Sequence, residues 1–490
     1  MIPELGAMTM PYSRRELLML AGHVGLGSAL LPQQLLAAPD NPNPYLQHGY
    51  APVVDELSVD NLAVRGEVPR EISGTYLRNG PNPAYKPISY AYPFDGDGMV
   101  HGLTFDDGKV AYRNRFVLTA GLRADRRAGR TIYGGLMNPI VPDPRFVPPD
   151  GDPNRFKNVA NINVVRHAGR ILALYEGDLP YELSPTLETK GLYDFAGKLR
   201  GAMTAHPKVD PVSGEMLMFR YSLRPPFLVF YTVDAAGAVV REVPIDTGMS
   251  FMVHDFVFTA RHVVFFLCSV VFDIAGAQQG KPFLAWQPER GTRIAVLRRD
   301  GTGGVQWIED GPYFVYHFMN GHEDGGRISV DYVQHGAFFT VPGAPPSLWR
   351  AVLDLGAGSV KRTQLDDRKG EFPRIDSARA GAANRYGWLP VSAKGDAPEA
   401  FGALARYDLQ TGKTAVHEFG PGREVDEPVF VPRPGGSGEG DGWIMTYVYD
   451  RATDGSVCAV LDAIDLERPP VAEIVMPRRV PHGLHGNWLA

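Results

Sequence analysis

Two cysteines in 490 residues, Cys268 and Cys458, are too few for a disulfide framework or a thiolate metal site, and they read as two separate buried thiols. Surplus positive charge is missing too. Lys and Arg number 49 against 55 Asp and Glu, a formal net charge of −6, so the basic field that nucleic-acid binding needs is absent. No apolar run reaches the roughly 20 residues of a membrane-spanning helix. A G-x-S-x-G elbow does not occur, so a serine hydrolase has no support. Gly22, Gly25 and Gly27 fall inside an apolar run rather than at a strand–helix turn, which removes a dinucleotide site. Asp95-Gly96-Asp97-Gly98 lacks the later ligands of a calcium loop and reads as a tight turn; His322-Glu323-Asp324 reads as a polar turn.

Glycine (55) and proline (42) are abundant, about a fifth of the chain against roughly 12% in average usage. With 44% hydrophobic and 21% charged residues, the chain can bury a core while punctuating itself often, which suits many short strands. Runs at 163–167 and 170–175 flank Ala168-Gly169, and runs at 404–409 and 414–419 flank a four-residue turn. A succession of 216–221, 228–233 and 239–244 predicts a meander. Thr186 to Met203 reads as a helical or irregular insertion, and Pro432 to Gly442 as one long loop. No linker divides the chain after about Asp60, and repeated meanders over this length fit a β-propeller, although no WD or kelch repeat gives the blade count. The first 38 residues differ: Arg14-Arg15 precedes the apolar stretch Leu17 to Leu31, the pattern of a twin-arginine export signal. The expected division is therefore 1–38 as signal and 39–490 as one propeller, with export to the bacterial periplasm.

Of 13 histidines, four stand out by context: His206 in Thr204-Ala205-His206-Pro207-Lys208, His254 in an apolar run read as a strand, His317 in the strand-like segment 313–320, and His485 in Pro481 to Gly486. They lie far apart and match no local metal motif, but a propeller brings distant strands together on one axis.

From Gly74 to the C-terminus the sequence resembles the carotenoid cleavage oxygenases. The resemblance runs through Tyr76-Leu77-Arg78-Asn79-Gly80-Pro81-Asn82-Pro83, Phe94-Asp95-Gly96-Asp97-Gly98-Met99-Val100-His101, the four histidine segments, Glu371-Phe372-Pro373-Arg374-Ile375 and Glu427-Pro428-Val429-Phe430-Val431-Pro432-Arg433. It implies a seven-bladed β-propeller with a helical and loop cap, one non-haem Fe(II) per chain, and His206, His254, His317 and His485 as its ligands. It further implies that Glu176, Glu371 and Glu427 hydrogen-bond His254, His317 and His485, leaving His206 without a glutamate. The implied reaction is scission of a C=C bond by O₂ to two carbonyl products, which needs no external reductant. The same ligand set serves a retinoid-type isomerase that uses no O₂. A carotenoid-binding protein without catalysis would be expected to lose ligands that are all present here.

Two departures bear on the pocket. Ile162 stands where many members of that family carry a threonine near the metal. Stilbene-cleaving members place a lysine before the Glu176 equivalent and a tyrosine before an Asn-Pro pair; here those positions hold Tyr175 and, ahead of Asn138-Pro139, Leu136 and Met137. A phenolate would lack its cationic partner. An apolar polyene, a carotenoid or apocarotenoid, is therefore the expected substrate, and such a substrate suggests a tunnel mouth in peripheral contact with a membrane.

Overall fold

The computed structural model describes residues 43–490 apart from 91–93, 137, 150–155, 280, 339–340 and 394–399. The twin-arginine segment and Met137 lie outside the described residues.

Seven antiparallel sheets form the blades of a propeller, in sequence order. The first contains Gly74–Pro81, Gly98–Asp106 and Lys109–Phe116; the second Asn163–His167, Arg170–Leu174, Tyr181–Leu183 and Thr189–Leu192. The third runs through Lys208–Val209, Met216–Tyr221, Leu228–Val233 and Val239–Ile245. The fourth contains Val257–Phe258, His262–Leu267, Thr292–Arg298 and Val305–Asp310; the fifth Phe318–Asp324, Arg327–Gln334, Ser347–Asp354 and Ser359–Gln364. The sixth holds Tyr386–Val391, Ala403–Asp408 and Lys413–Glu418, and the seventh Val429–Pro432, Gly442–Asp450, Gly455–Asp462 and Ala472–Val475. The ring is closed twice. Gly486–Leu489, from the C-terminus, becomes the innermost strand of the first blade, and Val64–Gly66 adds to the outside of the seventh.

Side chains alternate across a strand, so a strand between two neighbouring blades must be apolar on both faces. In the fourth blade Val263, Phe265 and Leu267 pack on Leu217, Phe219 and Phe230 of the third, whereas Val264 and Phe266 pack on Ile328, Val330 and Tyr332 of the fifth. A core cluster of this kind fills every blade junction. Outer strands such as Ser359–Gln364 face water and carry the polar alternation.

The expected hairpins form. Ala168 (φ 48°) and Gly169 (φ 76°) make the left-handed two-residue turn that matches strand twist. Among the described residues α-helix is confined to Ala120–Ala128, capped by Thr119 Oγ1 accepting from Leu122 N, and to the short Ile274–Gln278. The cap is thus mostly loop. Among the described residues no helix is long and apolar enough to cross a membrane. Both cysteines are free and buried.

Four local expectations need correction. Within Thr186 to Met203, Thr189–Leu192 is the outermost strand of the second blade, too short and polar to announce itself, while 193–203 is irregular as expected. His254 lies outside any strand, on the irregular segment entering the fourth blade, and His317 comes one residue before its strand rather than within one. His322-Glu323-Asp324 ends a strand, and Glu323 accepts bonds from Thr259, Arg261 and His262 of the fourth blade.

Candidate metal centre and cavity

Each blade begins at the axis, and the residues just ahead of its innermost strand point into the hub. These are Ile162 before Asn163, His206 before Lys208, His254 before Val257, His317 before Phe318, Glu427 before Val429 and His485 before Gly486. In the sixth blade Glu371 precedes Arg374, which bridges Trp388. Backbone not yet committed to sheet pairing is free to aim a side chain inward, so seven distant stretches converge.

The four histidines place one ring nitrogen each within 4.8 Å of the others. His206 Nε2 and His254 Nε2 are 3.0 Å apart. Two imidazoles at roughly 2.1 Å from one ion and about 90° apart would show a separation of about 3.0 Å. His317 Nε2 is buried and has no hydrogen-bond partner among the described residues, a cost that coordination removes.

The other ring nitrogens explain why the Nε2 atoms are bare. His254 Nδ1 lies 2.6 Å from Glu176 Oε2, His317 Nδ1 2.6 Å from Glu371 Oε2, and His485 Nδ1 2.9 Å from Glu427 Oε1. An ionised carboxylate only accepts, so each Nδ1 carries the proton and each Nε2 offers a lone pair. Burial and three neighbouring imidazoles push His206 well below its ordinary pKa, and burial holds His485 down to about 4. Burial would also lower His317, but the Glu371 carboxylate outweighs it and raises that ring. Burial pushes Glu427 up, yet Arg374 and His485 outweigh it and hold it at about 2. Three carboxylates are thus gathered around the hub, and a divalent ion together with Arg374, 3.2 Å from Glu427, would balance them. The donor set fits a divalent metal that takes imidazole ligands.

Asp255 fixes the ligand segments to one another. Its carboxylate pairs with Lys208 Nζ at 2.7 Å and accepts from Phe318 N at 3.0 Å, so segments carrying His206, His254 and His317 share one anchor. The fourth segment is held by Arg78, buried, which donates to Pro481 O at 2.7 Å. A Cβ on Gly483 would sit 1.5 Å from that guanidinium, so the close approach requires glycine. Phe372, at φ 55°, is a left-handed non-glycine residue beside Glu371; its ring stacks on His317 at 5.1 Å.

A cavity of about 730 Å³ passes His254, His317 and His485. Ile162, only 6% exposed, lines it, and its carbonyl accepts the backbone N–H of His485 at 3.1 Å. Tyr175 and Leu136 line it as well, Leu136 N donating to Asp95 Oδ1 at 2.8 Å. The Asp95 expectation was a turn alone; its carboxyl is also wall, and burial raises it to about 6. Sequence reasoning assigned no part to Tyr221, Tyr316, His335 or Asp255. Asp255 directly follows His254, whereas a lone histidine after a strand, as at position 335, gives no signal.

Comparison with known proteins agrees with this geometry. Residues 50–490 match the family described as Retinal pigment epithelial membrane protein. Isoeugenol monooxygenase of Pseudomonas nitroreducens is 32% identical, with 91% of this chain and 98% of the relative covered. A carotenoid cleavage oxygenase of Mycobacterium tuberculosis is 35% identical, with 92% and 98% covered. Among solved structures, lignostilbene dioxygenase of Pseudomonas brassicacearum superposes with TM-score 0.86 at 32% identity, covering 92% of this chain and 99% of that one. Cobalt-substituted apocarotenoid oxygenase from Synechocystis superposes with TM-score 0.79 at 29% identity, covering 91% and 98%.

Proposed function

Since the chain belongs to the carotenoid cleavage oxygenase family and its relatives are C=C-cleaving oxygenases, we propose that it cleaves a double bond of a carotenoid or apocarotenoid with O₂ at one Fe(II) per chain, giving two carbonyl products. The observation that carries this reading is the cavity lined by His254, His317 and His485, three of four convergent imidazoles. His206, His254, His317 and His485 would hold the iron. A ferrous ion held there would supply the activation of O₂. The chain's own part is positioning and exclusion of water. Phe372, Tyr316 and Met252 border the ligands, and Ile162 closes the second-blade side with an apolar side chain.

The cavity wall supports a neutral polyene over a phenolate. Leu136, Ile162, Phe272, Leu284 and Phe372 line the cavity, and its cations have partners of their own: Lys157 is engaged by Asp97 and Asp125, His482 by Glu424 and Asp426, and Lys369 lies over the Phe401 ring. A stilbene or phenylpropene with a neutral phenol is the second reading, and one observation favours it. Two of the relatives above, isoeugenol monooxygenase and lignostilbene dioxygenase, are named for a phenylpropene and a stilbene.

Iron-loaded protein incubated with apocarotenals, carotenes, a lignostilbene and isoeugenol, with the aldehydes identified and O₂ uptake followed, tests the choice. Aldehydes from apocarotenals are expected. Cleavage of the phenolic alkenes alone would transfer the assignment to the second reading, and isomerisation without O₂ uptake would exclude cleavage.

Peripheral membrane contact belongs to the same reading. Phe156 and Leu223 line the cavity while remaining 39% and 41% exposed, as suits an apolar mouth. Loss of liposome co-sedimentation in a Phe156→Glu/Leu223→Glu variant is expected. Periplasmic delivery by the twin-arginine route completes the reading; Arg14→Lys/Arg15→Lys should hold the full-length chain in the cytoplasm.

A further inference from the structure

The three carboxylates behind the ligands are themselves held by three different side-chain donors. Glu176 Oε1 accepts from Tyr221 Oη at 3.0 Å. Glu427 accepts from Arg374 Nη1 at 3.2 Å and from Gly486 N at 2.8 Å. Glu371 Oε1 lies 2.8 Å from His335 Nε2. A carboxylate only accepts, so at this distance His335 Nε2 is the donor.

His335 differs from the other two donors in what remains. Tyr221 has no polar side-chain atom beyond the Oη that bonds Glu176, and Arg374 does not line the cavity. His335 lines it, and its Nδ1 has no protein partner among the described residues. The ring is also well fixed. Its backbone exchanges two hydrogen bonds with Phe314, at 2.8 and 3.0 Å, and Tyr316 packs edge-on at 5.1 Å.

Resting on the reading of the four histidines as metal ligands, we propose that His335 is a positioning residue of the metal centre. Its Nε2–H orients Glu371, Glu371 orients His317, and the free Nδ1 places a hydrogen-bond acceptor at the cavity wall. The chain of contacts His335–Glu371–His317 joins whatever fills the cavity to one ligand. A hydroxyl in the cavity would donate to Nδ1 and so act on the ring that sets His317; an apolar hydrocarbon would not.

Cobalt(II) titration of the metal-free protein, read by d–d absorption, tests this without turnover. His335→Phe keeps a planar wall but removes the donor, and should weaken Co(II) binding 10–100-fold and shift the bands. His335→Gln places an amide N–H near the Nε2 position and should recover most of the affinity and the spectrum. Wild-type affinity and spectrum in His335→Phe would overturn the proposal, as would a glutamine variant no better than phenylalanine. His335→Ser gives the same comparison if the phenylalanine variant does not fold. Failure of the wild-type protein itself to develop Co(II) bands would instead overturn the metal reading on which the proposal stands.

Discussion

Replacing Arg374 with methionine separates the charge of the metal site from its shape. Arg374 Nη1 is 3.2 Å from Glu427 Oε1 and its Nη2 donates to Asn487 Oδ1 at 2.9 Å; Asn487 in turn donates to Asn163 Oδ1 and Val164 O of the second blade. Glu427 is 3% exposed and His485 is held neutral by burial, so the guanidinium is the main cation acting on that carboxylate. Removing one partner of a buried pair costs roughly 3–5 kcal/mol. Unfolding entropy of about 2.1 cal/mol/K per residue over about 450 residues is about 1 kcal/mol per degree, so Tm should fall by about 3–5 °C. Without its anchor Glu427 would no longer fix the His485 ring, and metal affinity should drop 10–100-fold. In Arg374→Met/Glu427→Gln the unpaired charge is gone, so Tm should largely recover while metal affinity stays low. Calorimetry and metal titration on the three proteins decide the matter. A single variant with wild-type Tm and metal affinity would refute the charge argument.

Other consequences can be checked alongside. His482 sits between Glu424 (2.6 Å) and Asp426 (2.8 Å); burial lowers its pKa, but these carboxylates outweigh it and raise it to about 9. A raised histidine contributes stability present below its unfolded value of about 6.5 and lost as pH rises through its folded value. Tm should therefore fall between about pH 6.5 and 9, and His482→Gln should flatten that slope. His206→Ala and His317→Ala should each lose bound iron by elemental analysis while far-UV circular dichroism stays that of a β-protein, because both lie ahead of their strands rather than within them. Tyr45 and Tyr50 line the cavity, and Tyr50 packs on His482 at 4.8 Å. A chain beginning at residue 39 should thus retain wild-type Tm, whereas one beginning at residue 51 should lose several degrees.

The regular hairpins were legible because their signals are local: alternating apolar residues around Ala168-Gly169, or around the turn before Lys413, commit a short stretch to one pairing. The outer strand Thr189–Leu192 carried no such signal, since a short strand facing water is hardly more apolar than a loop. His254 and His317 look like strand residues from sequence because apolar neighbours such as Phe251 to Val253 and Phe314 to Tyr316 are equally needed by a buried segment entering the hub. The metal ligands and their glutamates came from ordered resemblance, not from spacing. What supports Glu371 and Glu427 could not be read at all: His335 and Arg374 meet them only because different blades share one axis.

X-ray absorption at the iron edge of the Fe(II)-loaded protein tests the central claim most directly. Four imidazole nitrogens at about 2.1 Å, lost one at a time in the single histidine-to-alanine variants at 206, 254, 317 and 485, are the expected result. Iron bound through fewer imidazoles, or coordination unchanged in any of those four variants, would contradict it.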